Sequence, residues 1–162
     1  MGISTRSPAP HDMSDIVIEP ATEADLAAVA RIEHDAFSDP WSARAFRDAL
    51  SHAAVYFACA KRAGEDCVQG YVVAWFVADE GEIANLAVAP DGWGQGIGKL
   101  LLDSALSEGF FRRASAIYLE VRDSNVRARR LYQSRGFEEV GRRLGYYRRP
   151  TEDAIVLRRT LR

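Results

Sequence analysis

The sequence predicts one α/β domain over residues 15–162, preceded by a tail at residues 1–14. Three observations predict this class. A chain of 162 residues with 48% hydrophobic and 27% charged residues suits one soluble globular core. Strand-like and helix-like hydrophobic patterns alternate along the chain, and a strand, a glycine-rich loop and a helix follow one another near its centre.

The first half is predicted to hold three strands and two helices. The strands are expected at residues 16–18, 55–60 and 68–77. Thr22 and Asp25 have the spacing of a capping box, which predicts the start of the first helix. Ser42 is a suitable cap for the second helix. Residues 64–66 then predict a hairpin turn between the second and third strands.

The second half is predicted to hold four strands and two helices. The strands are expected at residues 83–88, 117–121, 137–147 and 154–161. Glycines at 92, 94, 96 and 98 form a loop, and a helix is expected from Lys99 onward. A last helix is expected from Asn125 to Arg135, because Gly136 is a typical helix stop.

The charge is unevenly distributed, although the formal net charge is only −2. Residues 1–104 hold 7 Lys and Arg against 16 Asp and Glu, and residues 105–162 hold 14 against 7. An acidic half would attract a cationic amine, and a basic half would favour phosphates or an RNA-rich neighbourhood. Ordinary solvated faces explain the same counts.

Cysteine usage and the N-terminal tail predict a cytoplasmic protein that does not enter a membrane. The two cysteines, Cys59 and Cys67, have no metal-type spacing and are predicted to be small core residues, which favours a reducing compartment. The tail contains no apolar run, so neither a signal peptide nor a membrane span is expected there.

The glycine loop predicts an anion site, because a loop entering a helix presents unpaired N–H groups and the positive end of the helix dipole. It is not a Walker A loop, since Trp93 and Leu100 occupy its first glycine and its Ser/Thr positions. Leu101 stands at the third glycine position of the dinucleotide fingerprint. A tight turn that packs closely on a helix is the structural alternative.

Residues 85–90 followed by residues 94–98 resemble the coenzyme A motif of the GNAT acetyltransferase superfamily. The resemblance implies a mixed, mostly antiparallel twisted sheet that splays between its fourth and fifth strands, with helices on both faces. It also implies acetyl-coenzyme A as acetyl donor and no metal. Trp93 replaces the usual Gln or Arg of the motif. The residues implied to bind the coenzyme are Leu86, Ala87, Val88, Gly94, Gln95, Gly96, Ile97, Gly98, Lys99, Asn125 and Tyr132.

Glu120 is the candidate general base. Strand alternation puts it on one face with Tyr118 and Arg122, and a carboxylate in a covered central strand is costly unless it is paired or faces a site. A salt bridge, with Arg122 as a possible partner, is the structural alternative. Glu82 and Glu33 are the other candidate bases.

Residues 125–137 match the second signature of the same superfamily, from Asn125 to Phe137. The resemblance implies that Asn125 holds the pantetheine arm or nearby backbone. It also implies that Tyr132 is the acid that protonates the departing thiolate. A packed core aromatic is the alternative for Tyr132.

Residues 32–42 and the pair Tyr146 and Tyr147 resemble the RimI-type ribosomal-protein alanine acetyltransferases. The implied substrate is a protein N-terminus, and the implied partner is a ribosomal protein, without sequence-specific nucleic acid binding. The residues implied to bind the substrate are Glu33, Phe37, Trp41, Tyr146 and Tyr147. A monomer or weak homo-oligomer is expected. An acetyltransferase for a small amine and a silent acyl-coenzyme A sensor are the competing hypotheses.

Overall fold

The computed structural model describes residues 15–162, which form one seven-stranded sheet with four α-helices. The strands are β1 Ile16–Pro20, β2 Val55–Arg62, β3 Val68–Val77, β4 Glu80–Val88, β5 Ala116–Arg122, β6 Glu138–Tyr147 and β7 Glu152–Thr160. The helices are α1 Leu26–Ala36, α2 Ala43–Leu50, α3 Ile97–Phe111 and α4 Val126–Ser134. None of the helices in this part of the chain is both long and apolar enough to cross a bilayer.

The strand order is β1-β2-β3-β4-β5-β7-β6, and every neighbouring pair is antiparallel except β4 with β5. The parallel pair has only four registered positions and ends where Ile83 pairs with Leu119. Beyond that point the two strands separate. The mixed sheet and its splay between the fourth and fifth strands are therefore confirmed.

A hydrophobic core lies on each face of the sheet. On one face, α3 contributes residues such as Leu101, Leu102 and Ala105, and α4 contributes Tyr132. On the other face, α1 and α2 contribute residues such as Val29 and Phe46. The prediction of helices on both faces is confirmed. The gap between β4 and β5 therefore lies between helices on the two faces of the sheet.

Local capping agrees with the sequence. The Ser42 hydroxyl accepts a hydrogen bond from the Ala45 N–H, and the Asn125 side chain accepts one from the Ala128 N–H, both at 3.1 Å. The Thr22 and Asp25 capping box is present, but it first forms a short 3₁₀ turn.

Two elements begin earlier than predicted, each for a physical reason. β4 begins at Glu80, because a tight turn after Val77 leaves more of the chain free to pair with β3. α3 begins at Ile97, since Gly96 takes a left-handed φ of 77° and ends the loop there.

The two cysteines were both predicted to be core residues. Cys59 is buried, but the prediction for Cys67 was wrong, because Cys67 is exposed in the β2–β3 hairpin. The predicted tail at residues 1–14 lies outside the described residues.

Candidate active site

Backbone groups of β4 are left unpaired where the sheet splays. The Ala89 N–H donates to the Gln69 carbonyl at 2.8 Å, so Ala89 faces β3. Because successive residues of an antiparallel strand alternate in direction, the N–H and C=O groups of Val88 and Leu86 point away from β3. No β5 residue is registered against them. The Val88 carbonyl accepts from the Trp93 Nε1–H at 2.9 Å, so the N–H groups of Leu86 and Val88 and the Leu86 carbonyl remain to pair with an extended ligand.

A cleft of about 520 Å³ opens at this gap. It brings together side chains from α1, the α1–α2 connection, β4, β5, α4 and β6. The sequence-predicted residues that line it are Glu33, Phe37, Trp41, Leu86, Glu120, Asn125, Tyr132, Tyr146 and Tyr147. All of the predicted substrate-binding and catalytic residues thus share one cleft.

The glycine loop lies outside the residues that line this cleft and forms a cradle of backbone N–H groups. Gly94 and Gly96 have φ values of 76° and 77°, a left-handed conformation that L side chains adopt at a cost. Among the described residues, the N–H groups of residues 94–96 have no hydrogen-bond partner, and those of residues 97–99 begin α3. Such a cradle fits a phosphate group.

Glu120 lies on the sheet face covered by α1, because its neighbours Leu119 and Val121 pack into the core beneath α3. Its side chain is 18% exposed, and its Oε1 lies 2.8 Å from Nε of Arg143 on β6. Glu120 is thus paired, but with Arg143 and not with Arg122. Since the side chain of Arg143 is 59% exposed, this pair is open to solvent and contributes little to stability.

Charged and phenolic groups around Glu120 share its electrostatic field. Burial, and then the nearby Glu120 carboxylate, raise the pKa of Glu82, while Arg143 lowers it. Hydrogen bonding to Glu120 raises the pKa of the Tyr146 phenol. Burial, followed by the Glu120 charge, raises the pKa of Tyr147 to about 12. The two tyrosines therefore remain neutral hydrogen-bond donors beside the carboxylate.

Tyr132 approaches the cleft from α4. Its ring is 7% exposed and packs edge-to-face on Phe137, with centroids 5.7 Å apart. Burial, and to a lesser degree Tyr147, raise the pKa of the Tyr132 phenol well above its ordinary value. The hydroxyl therefore keeps its proton throughout the neutral range and has it available to donate.

Glu33 lines the cleft but is 1% exposed, and both of its oxygens are occupied. Its Oε1 accepts from the Trp41 N–H at 3.1 Å and from Nδ2 of Asn85 at 2.7 Å. Its Oε2 accepts from the Tyr71 hydroxyl. Glu33 thereby fixes the start of α2 against the sheet, and Oε2, which accepts one bond, is the oxygen left to orient an amine.

Arg122 holds the two sides of the cleft together, a role that the sequence analysis missed. Its guanidinium donates four hydrogen bonds, to the Ser38 hydroxyl, the Arg148 and Pro150 carbonyls and the Glu152 carboxylate. Its Cζ also lies 4.5 Å from the centre of the Tyr147 ring. The α1–α2 and β6–β7 connections are thus fastened to β5 at one point. The sequence signal that could have indicated this role is strand alternation, which puts Arg122 on the same face of β5 as Glu120.

Comparison with known proteins agrees with this geometry. The model of the acetyltransferase (GNAT) family matches residues 26–137. The [ribosomal protein bS18]-alanine N-acetyltransferase of Salmonella typhimurium is 35% identical over 137 residues, covering 82% of this chain and 89% of that protein. The N-alpha-acetyltransferase RimI of Mycobacterium tuberculosis is 34% identical, covering 91% and 94%.

A solved structure extends the likeness to three dimensions. The crystal structure of the ribosomal-protein-S18-alanine N-acetyltransferase from Escherichia coli has a TM-score of 0.82 and 32% identity, covering 90% of this chain and 94% of that chain. The splayed strands, the glycine cradle and the shared cleft agree with what the resemblance to GNAT acetyltransferases implied. The chain uses acetyl-coenzyme A as its acetyl donor. It belongs to the GNAT family of N-acetyltransferases.

Proposed function

We propose that this enzyme acetylates the α-amine of a protein N-terminus, with an N-terminal alanine of a ribosomal protein as its preferred substrate. The observation that carries the proposal is the cleft itself, which both Glu120 and Tyr132 line at the splayed strands. The named relatives from Salmonella typhimurium and Escherichia coli are ribosomal-protein alanine N-acetyltransferases, which supports the substrate class.

The proposed division of roles follows from the positions of the side chains. Acetyl-coenzyme A supplies an activated acetyl group when bound. Glu120 accepts the proton of the attacking amine, directly or through water. An unpaired N–H of Leu86 or Val88 stabilises negative charge as it develops on the acetyl oxygen. Tyr132 gives its proton to the departing sulfur, and direct transfer needs no acyl-enzyme.

The α-amine is the easier amine for such a site. Its reference pKa is about 7.7 to 8.0, against about 10.4 for Lys, so roughly a tenth is already neutral at pH 7. Removing its proton costs about 3 kcal/mol less than for Lys, at about 1.36 kcal/mol per pKa unit. A carboxylate of ordinary basicity is therefore sufficient for an α-amine.

The rim of the cleft suits an extended peptide end. Phe37 and Tyr146 are 36% and 50% exposed, and Tyr146 packs edge-to-face on Tyr147 with centroids 5.1 Å apart. Trp41 packs on Phe46 beneath the other side. These aromatic walls, held by Arg122, would favour a chain terminus over a flexible side chain.

Coenzyme binding should depend on the cradle. Acetyl-coenzyme A at about a hundred times its Kd should stabilise the fold by roughly 2.7 kcal/mol, because it binds only the native state. Gly96→Asp should abolish most of this shift, since it places a side chain and a negative charge in a left-handed position facing phosphate. Thermal denaturation with and without ligand checks both statements. If acetyl-coenzyme A neither shifted the melting temperature of the wild-type protein nor bound to it by calorimetry, the glycine cradle would not be a coenzyme site.

Loss of Arg122 should impair peptide binding more than chemistry. Arg122→Met is expected to raise the peptide KM about tenfold, at about 1.4 kcal/mol per factor of ten, with kcat and coenzyme affinity little changed. Arg142→Met is the matched control, because Arg142 pairs with Asp123 and Asp153 away from the cleft. An equal loss for alaninamide and for a long peptide would show that Arg122 does not act through the walls.

The test of the proposed function compares specificity constants for three substrate series. These are peptides that begin with Ala, the same peptides blocked at the N-terminus and offering only Lys, and spermidine. The Ala peptides should have the highest kcat/KM. A higher value for blocked Lys peptides or for spermidine would refute the N-terminal assignment and leave the acetyltransferase chemistry in place.

A further inference from the structure

The side chains of the glycine loop at two positions are turned toward the protein. The Trp93 Nε1–H donates to the Val88 carbonyl at 2.9 Å. The Gln95 amide accepts from Arg62 and donates to the Asp91 carbonyl, both at 2.9 Å. The single N–H of the Trp93 side chain is therefore used within the protein, whereas the Gln95 amide, held by two bonds, keeps one N–H. The polar residue that usually opens this motif has no replacement within the loop.

A cation from α4 lies beside this position. The guanidinium carbon of Arg127 is 4.6 Å from the centre of the Trp93 ring. Both side chains are exposed, so solvent and ligands reach them. In the part of the chain described, Arg127 makes no salt bridge and no side-chain hydrogen bond, whereas Arg129 on the same helix and Arg135 just after it pair with aspartates.

We propose that Arg127 binds the pyrophosphate of coenzyme A at the glycine loop, and that Trp93 positions its guanidinium for this contact. In this chain the aromatic ring and a distant arginine together replace the polar residue of the motif. The inference concerns the donor alone. It therefore stands or falls independently of whether the acceptor is an α-amine.

The geometry of the pair supports this role. Stacking occupies the flat face of a guanidinium and leaves its N–H groups free at the edge, where they match two phosphate oxygens. The free N–H groups of residues 94–96 begin one residue after Trp93. The ring is itself held by the hydrogen bond to Val88, so it presents a fixed face to the guanidinium.

The first test measures affinity by calorimetry for coenzyme A and dephospho-coenzyme A, and the KM for S-acetylpantetheine as donor. Arg127→Met should weaken binding of both nucleotides about tenfold and leave the S-acetylpantetheine KM unchanged. Arg130→Met is the control, because Arg130 is an exposed arginine on the same helix that pairs with no carboxylate among residues 15–162. It should bind both nucleotides like the wild type. The Arg127→Met loss should also shrink in about 1 M salt.

Three outcomes would overturn the proposal. Unchanged affinity in Arg127→Met would show that Arg127 makes no contact. A loss for coenzyme A but not for dephospho-coenzyme A would assign Arg127 to the 3′-phosphate. An equal increase in the S-acetylpantetheine KM would show that the substitution disturbs the fold of the site.

A double-mutant cycle tests the positioning role of Trp93. Trp93→Ala should weaken coenzyme A binding, and adding Arg127→Met to it should cost less than Arg127→Met costs in the wild type. In Trp93→Gln, which restores the polar residue of the motif, Arg127→Met should likewise matter less. Independent, additive losses at Trp93 and Arg127 would contradict the positioning role.

Discussion

Glu120→Gln is expected to lower kcat by about 10² to 10⁴, the usual contribution of a general base. The substitution keeps the size of the side chain and an oxygen that can accept from Arg143. Because the Arg143 side of that ion pair is 59% exposed, loss of the charge on Glu120 should change the free energy of unfolding little. Coenzyme affinity should be preserved. The loss should be smaller above about pH 8, where the α-amine is mostly neutral without a base.

Glu82→Gln is the matched control for this prediction. Glu82 lines the same cleft, and burial, followed by the Glu120 charge, raises its pKa, which favours the protonated form that cannot act as a base. We expect a much smaller effect on kcat. If Glu120→Gln kept full activity across the pH range, the base would have to be Glu82, Glu33 or an ordered water.

Tyr132→Phe is expected to lower kcat by a comparable factor, about 10² to 10⁴, because it removes only the acid proton. The ring that packs on Phe137 remains, so the fold and coenzyme binding should survive. The buried phenol of the wild type stays protonated as pH rises through neutrality, because its pKa is raised. Its contribution should therefore not fall between pH 6 and about pH 9.

Leaving-group dependence separates proton donation from positioning. With an acetyl donor whose thiol is more acidic, the thiolate departs without assistance, and the Tyr132→Phe loss should shrink. A loss of the same size for both donors would mean that Tyr132 positions the coenzyme instead. Tyr118→Phe is the control, since Tyr118 lies on β5 outside the residues that line the cleft.

Local signals in the sequence predicted much of the fold and the cleft. Ser42 and Asn125 cap their helices as their residue types favour. Gly96 adopts the left-handed conformation that a loop-to-helix turn requires. Strand alternation put Glu120 and Arg122 on one face of β5, and both line the cleft. Each inference depends on neighbours in sequence, where the physical rule is short-ranged.

Contacts between distant elements could not be predicted in the same way. Glu120 pairs with Arg143 because β6 meets β7 through register shifts that no pattern in β6 indicates. The Glu33 carboxylate accepts hydrogen bonds from residues of β3 and β4, and these bonds depend on the packing of α1 on the sheet. The four bonds of Arg122 likewise require two connections to meet. The roles of these residues are set by tertiary structure.

The most direct test uses one peptide that carries both competing amines. A peptide with a free N-terminal Ala and one internal Lys is incubated with labelled acetyl-coenzyme A, and fragmentation mass spectrometry locates the label. Because both amines share one molecule, they are present at the same concentration, and the early ratio of the two labels is the ratio of their specificity constants. The account predicts that the α-nitrogen carries nearly all of the label at early times. Label mainly on the Lys side chain would contradict it.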